Sequence, residues 1–202
     1  MRIITIVSGL PRSGTSMMMR MLEAGGMEVL VDNIRRADED NPAGYYEFEK
    51  AKKIKDDSSW LRDAEGKAFK MVSMLLRDLP PGREYRIIFM KRIMAEILAS
   101  QTRMLANLGR GGGGASDEEM GRLFNKHLVE IEKWLEKQNN MDVRYFSYND
   151  ILDRPLENLQ ALSQFLDNGL DIKKMVNLVD RSLYRQRIKG VGQLQAAETN
   201  HP

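Results

Sequence analysis

Ser8-Gly9-Leu10-Pro11-Arg12-Ser13-Gly14-Thr15-Ser16 places two glycines, an internal cation and several hydroxyls directly behind an apolar run, Ile3 to Val7. That run is short, β-branched and uncharged, which predicts a strand buried on both faces of a parallel sheet. Ser16 to Glu23 predicts a helix that stops at Gly25-Gly26. A glycine-spaced loop between strand and helix turns successive backbone N–H groups and the positive helix end toward one point, which suits an anion with two or three charged oxygens. Gly9 and Gly14 keep the G-x4-G spacing of the Walker loop, but Thr15 stands where that motif carries lysine, and Ser16 alone keeps its hydroxyl position. Arg12 supplies a cation from inside the loop instead. The chemistry is phosphate binding without the lysine that an ATPase uses; a plain turn is the alternative for a Gly-Pro-Ser cluster after a strand.

A second polar pair follows another apolar run. Arg86 to Met90 predicts a buried strand, Lys91-Arg92 ends it, and Met94 to Asn107 predicts a helix. Ser100 lies one turn from Ile97 and from Met104, beside the apolar stripe of that helix, so its hydroxyl needs a partner. A bond back to the carbonyl four residues earlier is one candidate, and a bound anion is the other.

Pro11-Arg12-Ser13-Gly14-Thr15-Ser16 resembles the 5′-phosphosulfate loop of the sulfotransferases, which use 3′-phosphoadenosine-5′-phosphosulfate (PAPS) and release its 3′,5′-bisphosphate (PAP). Arg92 with Ser100 eight residues later resembles the pair that holds the 3′-phosphate in that family. Phe69-Lys70-Met71 looks like the strand whose lysine reaches the transferring group, and Tyr148, in Ser147-Tyr148-Asn149-Asp150, takes the place of a tyrosine that contacts adenine, with Asn149 where Glu is usual. Arg187-Ile188-Lys189-Gly190 resembles the Arg-Lys-Gly segment that closes over the 3′-phosphate, interrupted by Ile188; Arg185 or Arg187 could serve in its place. The resemblance implies a three-layer P-loop NTPase-like α/β fold with a central parallel sheet flanked by helices. It also implies sulfuryl transfer from PAPS to a hydroxyl or amine of a small-molecule or glycan acceptor.

Sulfuryl carries less negative charge than phosphoryl and repels a nucleophile less, so this chemistry does not call for a metal. Where a kinase strand ends in a metal-holding Asp, the strand here ends in Lys91-Arg92. Arg12 and Lys70 are the cations expected to stabilise the leaving phosphate as the S–O bond breaks, with Ser13, Gly14, Thr15 and Ser16 cradling the phosphosulfate. On period-two alternation Lys70 points away from the side of Phe69 and Met71; an edge-strand lysine facing water is its alternative. Asn41-Pro42-Ala43-Gly44-Tyr45-Tyr46-Glu47 resembles a loop of small bacterial-type sulfotransferases, and Glu47 is the candidate base if partial burial raises its pKa. Glu47 in the solvated first turn of a helix is the competing reading. His127, on the amphipathic stretch Ser116 to Lys137, reads as a packing histidine, and His201 is next to last in the chain. A small-metabolite or nucleotide kinase and a catalytically inert nucleotide-binding module are the rival functions.

Positioning these residues takes strands near 2–8, 67–72, 85–90 and 142–148, with a further short one near Glu28 to Val31, and helices between them. At 202 residues, 42% hydrophobic and 30% charged, the chain fits a single domain spanning 1–202. A formal net charge of +2 gives no global field for nucleic acid or a membrane surface, and oligomeric state is not readable. Absence of cysteine removes disulfides, thiolate metal sites and a cysteine nucleophile. With neither a signal h-region nor a membrane span, the expectation is a cytoplasmic enzyme. Residues 109–116 hold four consecutive glycines and are expected to form a flexible loop, with 193–202 a disordered tail. Met17, Met18, Met19 and Met21 predict adaptable core filling behind the phosphate loop, or a methionine-lined acceptor pocket.

Overall fold

The computed structural model describes residues 3–180 apart from 33, 39–40, 43, 108 and 110–115. Four parallel strands, β1 (Ile4–Gly9), β2 (Ala68–Lys70), β3 (Tyr85–Lys91) and β4 (Met141–Ser147), form one sheet in the order β2-β1-β3-β4. β1 lies between β2 and β3, with Val7 opposite both Lys70 and Ile88, and all six of its residues are buried. Its uncharged, mostly apolar and β-branched character is the sequence counterpart of that central place.

Helices cover both faces. On one, α1 (Thr15–Ala24), α5 (Tyr148–Asp153), α6 (Pro155–Phe165) and α7 (Ile172–Val176) bury Met18, Met19, Met21, Leu22, Ile151, Leu159, Leu162 and Met175 against Val7, Ala68, Ile88 and Met90. On the other, Ile4, Ile6, Phe69, Ile87 and Phe89 meet Trp60, Leu61 and the Ile131–Leu135 stretch of α4 (Asp117–Leu135). Trp60 stacks edge-on against both Phe48, which precedes the short α2 (Glu49–Lys52), and Phe69. The chain is therefore a three-layer α/β structure of the P-loop NTPase-like kind. Its methionines 18, 19 and 21 are wholly buried core filling, while Met17 lies beside the cavity described below.

α3 (Met94–Asn107) has the expected limits. α4 begins at a full capping box, with Ser116 accepting from the Glu119 amide and the Glu119 carboxylate accepting from the Ser116 amide. Two expectations change. The strand near Glu28–Val31 shrinks to one bridge between Val29 and Ala68, in which the Ala68 amide donates to the Glu28 carbonyl and its carbonyl accepts from the Leu30 amide. β2 ends at Lys70 because Val72 turns the chain into a 3-10 helix, Ser73–Asp78. The glycine run, the tail 193–202, Arg185, Arg187, Lys189, Gly190 and His201 lie wholly or, for the run, mostly outside the described residues. Among the described residues no helix is long and apolar enough to cross a membrane.

The β1–α1 turn depends on two glycines. A Cβ on Gly9 (φ 147°) would lie 2.5 Å from the Met90 carbonyl oxygen, and one on Gly14 (φ 96°) 2.5 Å from the Tyr148 ring. Both backbone conformations are also strained for a residue with a side chain. Gly14→Ala is expected to lose roughly 2–5 kcal/mol in chemical denaturation, from left-handed backbone and overpacking together. A loss under about 0.5 kcal/mol would show that the Tyr148 contact does not constrain the loop.

Candidate anion-binding site

The turn after β1, the start of α1, the end of β2, the middle of α3 and Tyr148 enclose one cavity of about 300 Å³. Gly9, Arg12, Gly14, Thr15, Ser16, Glu47, Lys70, Arg92, Ser100 and Tyr148 all line it. Residues that are far apart in the chain thus meet at the carboxyl ends of the strands, the usual binding edge of an open parallel sheet.

At the floor is the α1 N-terminus. Gly14 caps it with no side-chain hydrogen bond, and helix geometry leaves the first-turn N–H groups without intrahelical acceptors. Ser13, expected among the cradling hydroxyls, is fully buried. Its amide and Oγ both donate to the Leu10 carbonyl, at 3.2 and 2.7 Å, so Ser13 shapes the loop from inside. Ser16 Oγ donates to the Tyr45 carbonyl at 2.9 Å, which straps the Asn41–Glu47 segment over the helix start.

Lys70 lies on an edge strand, yet its ammonium turns inward and donates to the Tyr45 carbonyl and, at 3.3 Å, to Ser16 Oγ. The water-facing alternative is thereby set aside. Burial lowers its pKa from 10.5 to about 8; the nearby Glu47 charge works in the opposite direction, and Arg35, Lys52 and Arg12 add to the depression.

Glu47 corrects the sequence reading. Burial alone would raise its pKa, but the Lys52 hydrogen bond and the charges of Lys70, Lys52 and Arg35 prevail and hold it below the ordinary value. Lys52 Nζ approaches to 2.6 Å and the Arg35 guanidinium to 3.2 Å. A carboxylate so neutralised has little pull on an acceptor's proton near neutral pH. Arg35 also stacks 3.4 Å over the Tyr45 ring, whose hydroxyl donates to both Asp38 oxygens and, buried, has its pKa pushed up to about 12.

Arg92 and Ser100 face the same cavity from α3 and the turn before it, but they are joined through Arg12. Arg12 Nε donates to Ser100 Oγ at 2.9 Å, and Arg92 donates to the Arg12 backbone carbonyl at 3.2 Å. Ser100 thus has its partner across the cavity. Arg12 itself adopts φ 69°, a left-handed conformation that costs a non-glycine residue about 1–2 kcal/mol and is held by these contacts. Arg92 Nε also pairs at 2.9 Å with Glu96, whose side chain is 1% exposed, and the guanidinium sits 4.4 Å from the Tyr148 ring centroid. Asn149 Nδ2 donates to the same Glu96 carboxylate at 3.2 Å. A glutamate at 149 would instead oppose Glu96, which gives the departure from the expected Tyr-Glu-Asp a physical reason. Tyr148, expected at adenine, packs between Gly14 and Arg92 and keeps part of its surface on the cavity.

Sequence reasoning missed Glu96, Arg20 and Arg103. Glu96 follows Arg92 by four residues, and Arg20 and Arg103 follow Ser16 and Ser100 by four and three, so helical spacing carried the signal. Both arginines line the cavity. His127 is half-buried on α4 and bonds Ser73 Oγ at 2.8 Å, with its pKa lowered by burial and by Arg77, in keeping with a packing role outside the cavity. Among the described residues no group of three or more His, Cys, Asp or Glu is placed to hold a metal ion.

The fold has solved counterparts. Mouse sulfotransferase SULT7A1 complexed with PAP superposes with a TM-score of 0.52 at 15% identity, over 93% of this chain and 66% of that one, so this chain spans a little under two thirds of its length. The sulfotransferase domain from the curacin biosynthetic pathway gives 0.51 at 14% identity, over 94% of this chain and 93% of that one. No protein-family model and no curated protein sequence matches the chain. At these identities the likeness establishes the fold.

Two stability measurements test the electrostatics. Lys70→Met is expected to raise the melting temperature near pH 7, by about 0.5–2 kcal/mol of stability, since Ser16 still satisfies the Tyr45 carbonyl. Because Lys70 binds its proton less tightly folded than unfolded, its penalty is full below about 8 and fades toward 10.5, so the gain should shrink as pH rises through that window. A lower melting temperature would contradict the burial penalty. Arg92→Ala should cost about 3–5 kcal/mol by stranding the buried Glu96 carboxylate, and adding Glu96→Gln should restore much of it; strict additivity would mean that the pair is uncoupled.

Proposed function

We propose that the chain is a sulfotransferase that moves a sulfuryl group from PAPS to a hydroxyl or amine of a small molecule or glycan. The observation that carries this reading is one cavity with two cationic regions: Lys70 beside the α1 N-terminus, and Arg12 and Arg92 where the phosphate loop meets Ser100 in the middle of α3. An adenosine bearing phosphates at both 5′ and 3′ positions presents two separated anions, and one end of the cavity suits each. PAP in the SULT7A1 complex supports the same ligand class here.

The α1 amides with Thr15 and Ser16 hold the 5′-phosphate, and the buried Lys70 ammonium meets the negative charge that grows on its bridging oxygen as the S–O bond breaks. The low-dielectric site that depresses the Lys70 pKa also makes its charge act strongly when protonated. Glu47 serves as the counter-charge that keeps Lys70 protonated, the opposite of a proton acceptor. Arg187, Lys189 and Gly190 remain proposed contacts of the 3′-phosphate on the resemblance alone. A cytoplasmic location belongs to the same proposal.

One observation favours a second reading, a nucleotide-binding module without turnover: the sole carboxylate expected to act as base is committed to Lys52 and Arg35. Thermal shift and labelled turnover separate the possibilities. PAP is expected to raise the melting temperature more than ADP or magnesium-ATP at equal concentration, and sulfur-labelled PAPS should be consumed with an acceptor panel. Stronger stabilisation by magnesium-ATP would overturn the donor assignment, and PAP binding with no turnover across the panel would favour the inert module.

A further inference from the structure

Ser100 shares its face of α3 with Arg103 and Met104, one turn further along, and all three line the cavity. Ser100 is buried and Arg103 exposed, so the hydroxyl lies inside and the guanidinium at the rim. Their neighbour Thr102 bonds the Asp117 carboxylate of α4 at 2.9 Å, whereas Arg103 makes no ion pair or hydrogen bond with any described residue. The other described arginines near Ser100 already have partners. Arg92 donates through Nε to Glu96 at 2.9 Å and through a second nitrogen to the Arg12 carbonyl at 3.2 Å. Arg12 donates to Ser100 Oγ at 2.9 Å, and its charge is also felt at Lys70, where it adds to the depression of that pKa. Arg12 therefore stays with the phosphate loop and the 5′ end. Because Ser100 Oγ accepts from Arg12, its own hydroxyl hydrogen can be donated to a phosphate oxygen.

Resting on the PAPS reading above, we infer that Arg103 contacts the 3′-phosphate from the rim of the cavity, beside Ser100 and Arg92, and strengthens the preference for a nucleotide that carries that group. Helical geometry supports the assignment. Side chains three residues apart start about 5–6 Å from each other, so a phosphate that accepts from Ser100 lies within reach of the Arg103 guanidinium. The planar fork of an arginine matches two phosphate oxygens at once, and a rim position leaves it hydrated until the ligand arrives. Ser100 and Arg92 are fixed from within, through Arg12 and Glu96, while Arg103 reaches in from solvent. Its contribution is therefore screened by salt more than that of the buried Arg92. Arg185, Arg187 and Lys189 lie outside the described residues, and the test includes variants of the segment that resembles the family's 3′-phosphate closure.

Calorimetric titration of the full chain with PAP and with adenosine 5′-monophosphate tests this, because the two share the 5′-phosphate and differ in the 3′-phosphate. Arg103→Met keeps the aliphatic stem at an exposed helical position, and Arg103→Lys keeps the charge without the fork. Arg103→Met is expected to bind PAP roughly 5- to 30-fold more weakly than the wild type, while monophosphate affinity changes less than about 2-fold. Arg103→Lys should recover part of the loss, and the loss should shrink as ionic strength rises. Unchanged PAP affinity in Arg103→Met, or equal losses for the two ligands, would overturn the inference and leave the donor reading standing. Loss of the PAP preference in Arg187→Ala or Lys189→Ala with none in Arg103→Met would assign the phosphate to the C-terminal cations and overturn it likewise. A wild-type chain with no preference for PAP over the monophosphate would overturn the donor reading itself, and the inference with it.

Discussion

The site depends on how closely the β1–α1 turn is pressed against the elements that follow β3 and β4. Gly9 has no room for a Cβ beside the Met90 carbonyl, and Gly14 none beside the Tyr148 ring. That contact fixes where Arg12 emerges, and Arg12 ties the turn to α3 through Ser100 and Arg92. Three pieces of chain separated by many residues are thus held together as one candidate anion cradle. Hydrogen bonds alone would not achieve this, since each contributes only about 0.5–1.5 kcal/mol net and the left-handed backbone works against them. Close packing around the fully buried strand β1 supplies the rest.

Charge within the cavity is arranged in two compartments. At the α1 end, Lys70, Arg35 and Lys52 gather around the single Glu47 carboxylate and the Tyr45 strap. At the α3 end, Arg92 and Glu96 neutralise each other and Arg12 joins them from the loop. Glu96 and Glu47 therefore work alike, each holding a neighbouring cation in place at the cost of some of its field. Such devices favour precise placement over raw attraction, which suits a ligand whose two phosphates must both be engaged.

Much of the fold was legible because its signals are local. β1 reads as central from its uncharged, mostly apolar run, and α3 is bounded as its pattern predicts. The Glu28–Val31 strand failed because pairing there depends on two backbone groups of Ala68, which composition does not reveal. In the site, Lys70 and the Arg92–Ser100 region were legible as residues meeting in one cavity, while their couplings were not. The Arg12–Ser100 bond spans 88 positions, and the Glu47 pKa is set by Lys52, Lys70 and Arg35 acting together against burial. Neither is written in any window of sequence. Asn149 was legible only as a departure, and its sense came from Glu96, a residue that spacing alone could have paired with Arg92.

The most direct measurement is a crystal structure of the chain with PAP. The account predicts the 5′-phosphate over the first turn of α1 within reach of Lys70, and the 3′-phosphate between Ser100, Arg103 and Arg92. A nucleotide bound with its 3′-phosphate in solvent, or with both phosphates drawn to the α1 end, would contradict it.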